Sequence, residues 1–153
     1  MRRKWLTTAA VTTLVASVLA GASISADEDS PLHKIMEKVQ AKSGAIRKAT
    51  RTPAQWKKDA KKAAESAEAI VKLAKETKPM TDAAKKVKDP AVKDPAALWA
   101  KMSDDFLKAA EEMVKVAKDS KTSAPDAKTA FGTLNNTCGA CHKVFRIEED
   151  DFK

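Results

Sequence analysis

Near the end of the chain stand five consecutive residues whose types could do chemistry, Cys138-Gly139-Ala140-Cys141-His142. They contain both cysteines and one of the two histidines of the 153-residue sequence. Two thiols three positions apart, with an imidazole adjoining the second, form the attachment motif of a c-type haem. Each S–H can add across one vinyl group of a porphyrin. The two thioethers so formed place the imidazole of His142 at the iron as an axial ligand. No thiol is left over for a disulfide.

Two other chemistries use the same residue types. A Cys-x-x-Cys redox pair belongs beside a βαβ pattern, and this chain shows no convincing strand periodicity. A closed structural zinc site needs four ligands, and beyond the motif only His33 offers a nitrogen, so carboxylates would have to complete the set. One covalent haem c is therefore the expected cofactor. With one histidine assigned to iron, no serine–histidine–carboxylate set can be argued, and the four glycines form no phosphate-cradling loop. The chain is expected not to be an enzyme.

The N-terminus opens on Arg2, Arg3 and Lys4, continues as an uncharged apolar run from Trp5 to Ala22, and meets its first acid at Asp27. This is the pattern of a secretory signal peptide over 1–26, with cleavage expected between residues 22 and 26, ahead of one domain over 27–153. The run is short and threonine-rich for a spanning helix, so no membrane span is expected in the mature form. Periplasmic localisation follows. The twin-arginine route fits poorly, because it carries folded proteins while haem attachment needs an unfolded chain outside the cytoplasm.

Removing the leader takes three of the 29 Lys and Arg residues, leaving 26 against 21 Asp and Glu, a net charge of +5. The lysines are scattered along the chain with no compact basic stripe interleaved with aromatics, so no nucleic-acid partner is expected. A mildly positive surface can still steer an acidic redox protein. Large apolar residues are few, with three tryptophans (Trp5 in the leader), four phenylalanines and no tyrosine. Alanine dominates, and a buried porphyrin would supply the missing apolar volume.

The elements that must position the motif are helices. Ser30-Pro31 starts a first helix to Ala49, with Leu32, Ile35, Met36, Val39, Ile46 and Ala49 on one stripe. Thr52-Pro53 starts a second to about Glu76, and Asp94-Pro95 a third to about Lys118 carrying Leu98, Trp99, Met102, Phe106 and Met113. The fourth runs from near Pro125 to about Arg146 and includes the cysteines. The stretch from Thr77 to Lys93, with Pro79 and Pro90, reads as a lysine-rich linker. Four helices with one apolar face each and short connections predict an all-α, up-down-up-down antiparallel four-helix bundle.

With the motif on the last helix and followed by Phe145-Arg146, the chain resembles class II cytochromes c, the cytochrome c-prime family, over nearly all of the mature segment. Trp99 with Phe106 is similar to the family pattern as well. The resemblance implies thioethers at Cys138 and Cys141, His142 as proximal ligand, and Arg146 as a propionate contact, with helix capping the alternative for Arg146. It places Met36 at the distal face of the iron. At ~100° per residue Met36 lies roughly 60° from the centre of its apolar stripe, and His33 about twice as far out. Met36 then acts as sixth ligand or as a plug for an irregular gap. Many members carry an arginine one turn before the distal residue, and here that place is Leu32.

With a methionine ligand the resemblance implies a mono-haem electron carrier in the low-spin branch. The alternative is a five-coordinate protein that binds NO or CO. Relatives often pair through their first two helices, so the resemblance leaves a homodimer possible and the sequence does not fix the oligomeric state.

Overall fold

Three of the helices begin in the same way, with a capping side chain followed by proline. Ser30 Oγ accepts from the His33 backbone N–H at 3.1 Å, Thr52 Oγ1 from Gln55 at 3.2 Å, and Asp94 Oδ1 from Ala97 at 2.9 Å. Each cap satisfies a donor that the helix start would otherwise leave unpaired, and proline at the first position loses no hydrogen bond there. A computed structural model describes residues 30–145 apart from Lys88. The expected leader, Arg146 and the acidic C-terminal residues lie outside the described residues.

The elements are α1 (Pro31–Ala49), α2 (Pro53–Thr77), α3 (Asp82–Lys85), α4 (Pro95–Lys118) and α5 (Ala124–Phe145). No strand occurs among the described residues. The four long helices form the antiparallel bundle that periodicity predicted. α2 spans about 37 Å at 1.5 Å per residue, so the bundle has two well-separated ends.

Alanine sets the character of the core. Ile46, Ile70, Met113 and Leu134 are the largest fully buried side chains, and Ala63, Ala67, Ala110 and Ala127 surround them at 0–1% exposure. Small residues at these positions let the helix axes approach closely but contribute little buried area each. At one end, the Trp56 indole N–H donates to the Thr122 carbonyl at 2.9 Å, tying the start of α2 to the α4–α5 turn. At the other, Trp99 reaches the Lys78 carbonyl at 3.2 Å, tying the start of α4 to the end of α2.

One expectation changes. The stretch from Thr77 to Lys93 is not an open linker but holds the single turn α3, with Ala84 buried at 5% exposure. Met80, Ala83 and Val87 pack with Ala84 against a cluster built on Trp99 and Phe145. Those apolar residues, spaced among the lysines, supplied a buried face too short to register as a helical stripe.

Packing around the bundle is uneven. α1 lies along α2, α2 along α4, and α4 along α5, whereas α1 and α5 touch at only a few points. The seam between the first and last long helices is therefore as sparsely packed as the approach of α2 to α5.

Candidate functional site

Both cysteines lie on α5 within its last two turns, and both are half-buried while Gly139 and Ala140 between them are exposed. Helical spacing of three puts the two sulfurs on neighbouring positions of one face. They meet different surroundings. Cys138 packs against the main core, whereas Cys141 packs against the smaller cluster of Ala84, Trp99 and Phe145. The Cys138 Sγ also approaches the Leu134 carbonyl one turn back, at 3.5 Å.

Burial shapes the chemistry of the thiols. It pushes the Cys138 thiol above its ordinary value, against a smaller opposing pull from the Thr137 hydroxyl. For Cys141 burial is again the main cause, helped by the neighbouring Cys138, and the thiol is pushed up to about 11. A reactive redox pair has at least one thiol depressed toward neutrality by positive charge or a helix N-terminus. These two sit at the opposite end of their helix and are driven the other way. The absence of strand structure among the described residues removes the βαβ setting too. Nor do three or more candidate zinc ligands come together among the described residues.

α1 supplies the opposing wall. Leu32 and Met36, one turn apart, are both half-buried. Met36 packs against the cluster that Cys138 joins, and Leu32 against the one that Cys141 joins. The sequence-predicted Met36 is thus brought to the same core as Cys138 of the motif. His33 is exposed and lies 3.7 Å from the Glu37 carboxylate one turn on, away from that core. His142 lies on an exposed flank of α5, one position past Cys141.

These residues fit a covalently held haem. Two sulfurs in apolar surroundings stand beside a seam that the helices leave largely unpacked, facing leucine and methionine and no buried charge. A Cβ built at Gly139 meets nothing within 4 Å, so this side of the motif is unobstructed. The surface grooves between α2 and α4, lined by Glu68, Lys72, Lys115 and Lys118 among others, contain neither cysteine.

Met113 is fully buried and Met102 half-buried, both as packing residues of α4. Trp99 and Phe106 prove to belong to different clusters. The ring partner of Trp99 is Phe145, with centroids 5.1 Å apart and planes at 88°, an edge-on contact. Sequence reasoning named Phe145 only as part of the motif. Its place four residues after Cys141, hence one turn on along the same face, was the available signal. Arg146, the expected propionate contact, lies outside the described residues.

No helix among the described residues is long and apolar enough to cross a membrane. The family model described as Cytochrome C' matches residues 32–146, well over half of the chain and inclusive of the motif, both clusters and the α1–α5 seam. No curated protein and no solved structure matches the sequence.

Proposed function

The chain belongs to the cytochrome c-prime family and carries covalently attached haem c, and on that premise we propose that it is a one-electron carrier with His142 and Met36 as axial ligands. When bound, haem c supplies a one-electron couple at its iron. Cys138 and Cys141 would hold the group through thioethers at the end of α5. His142 would donate its imidazole from the exposed flank, and Met36 its sulfur from α1. The observation that carries this reading is the packing of Met36 and Cys138 against one core across a loosely packed seam.

Histidine paired with methionine raises the reduction potential, since the soft sulfur favours the reduced metal. Helices packed on either side would hold both ligands in place and keep water away, so little rearrangement accompanies each electron. Such a protein makes and breaks no bonds in a substrate and works with acidic redox proteins as partners. Because thioether formation needs a chain outside the cytoplasm, the reading includes cleavage of a leader within residues 22–26 and a periplasmic location.

A second reading has its own support. Leu32, which cannot ligate, packs in the cluster that Cys141 joins, and members of the family bind small gas ligands. In that case Met36 lines the distal face without bonding, and NO or CO is captured. Carbon monoxide titration of the reduced holoprotein separates the two. Slow, weak uptake that displaces a ligand supports the electron carrier. Fast uptake into a vacant position supports gas capture and removes the His/Met assignment.

A further inference from the structure

Trp99 is 3% exposed, the least exposed side chain of the cluster that Cys141 joins. It makes two directed contacts. Its ring meets Phe145 edge-on at 5.1 Å, and its indole N–H donates to the Lys78 carbonyl at 3.2 Å. Phe145 lies three residues beyond His142 and four beyond Cys141, so it stands over the turn that bears both.

Lys78 is itself fixed. It follows the last residue of α2, and its ammonium pairs with Asp104 Oδ1 of α4 at 2.7 Å. Thr77 before it is 2% exposed and donates its hydroxyl to the Ala74 carbonyl at 2.7 Å. The anchor at one end of the tryptophan is therefore held by α2 and α4 together. At the other end stands the last turn of α5, whose Phe145 belongs to the same small cluster as Trp99.

We propose that Trp99 is a positioning residue for the haem-attachment turn, coupling Phe145, and through it Cys141 and His142, to the fixed Lys78 carbonyl. The inference rests on the haem reading above. Edge-on aromatic contacts prefer one relative orientation, and a buried indole N–H costs free energy if it loses its acceptor. Together they fix both the distance and the roll of the last turn of α5. The imidazole of His142 inherits that roll.

Trp56 supplies a matched control at the far end of the bundle. It is also buried, at 6% exposure, and also donates to a loop carbonyl, at 2.9 Å from Thr122. A general loss of stability would follow either tryptophan, whereas a change at the iron should follow Trp99 alone.

The experiment compares ferric holoprotein of wild type, W99F, W99L and W56F by electron paramagnetic resonance, with covalent haem per chain measured on each sample. W99F keeps a ring against Phe145 and loses the N–H donor; W99L loses both. The expected result is one ferric signal in wild type and W56F, a second signal in W99F, and a larger share of that second signal in W99L. If W99L does not accumulate, W99F against W56F decides. Signals from W99F that match wild type, or that change no more than those of W56F, overturn the proposal while leaving the haem reading intact. Wild-type protein without covalent haem overturns both.

Discussion

Met36 of α1 and Cys138 of α5 pack against the same hydrophobic cluster, although their two helices scarcely touch. In a closed bundle, first and last helices would meet along their length as the other neighbours do. Here both reach the shared core across a seam they do not close. A motif cysteine and a candidate ligand sulfur thus reach one core from two helices, the arrangement on which the proposed electron carrier rests.

Met36→Leu keeps the volume of the side chain and removes its sulfur. Such a swap in a packed site costs less than about 1.5 kcal/mol, so unfolding in denaturant should move little. The ferric protein should pass from low to high spin. Carbon monoxide affinity should rise by ~tenfold or more, since 1.4 kcal/mol of displaced bond already accounts for that factor. Unchanged spectra and affinity would show that Met36 only fills space.

Cys138→Ala and Cys141→Ala should each leave haem joined by a single thioether. The double variant should release it all. Acid-acetone extraction followed by intact-mass measurement reads the outcome. Haem retained after extraction of the double variant would place the attachment elsewhere.

Before haem is attached, burial makes the folded chain hold the Cys141 proton to about pH 11, above its ordinary value near 9.0. The folded state then binds more protons than the unfolded state between those two values. Stability of the haem-free chain should accordingly be intact below about pH 9 and decline as pH rises toward about 11. Cys141→Ser should flatten that decline in urea titrations. Cys138, shifted in the same direction by burial, adds to the same slope. At neutral pH both thiols should alkylate more slowly in the folded chain than in urea.

Ile70 is fully buried in α2, within the cluster that Met36 and Cys138 also pack against, and carries no atom that could bond iron. Ile70→Ala should cost about 2–5 kcal/mol of stability, the usual range for such a truncation. Optical spectra of the holoprotein should change less than in Met36→Leu, because no ligating atom is removed. A spectral shift as large as that of Met36→Leu would mean that the core and the iron site are not separable.

Much of this was legible in the residues. Ser30-Pro31, Thr52-Pro53 and Asp94-Pro95 marked three helix starts, because a capping side chain followed by proline has few other uses. The spacing of Cys138, Cys141 and His142 carried the cofactor on its own. The seam was not legible, since the helical period reports which face is apolar and not which neighbour it meets. Nor was α3, where one turn offers too few residues for a period to show. The Trp99–Phe145 contact joins positions 46 residues apart, and only the antiparallel return of α5 along α4 brings them together.

The electron-carrier proposal stands or falls on a bond between the Met36 sulfur and the iron. X-ray absorption at the iron edge of oxidised holoprotein identifies the directly bonded atoms. A single sulfur is expected alongside the porphyrin and His142 nitrogens, lost in Met36→Leu. Nitrogen alone around the iron of the wild-type protein, or a sulfur that persists in the variant, would contradict it.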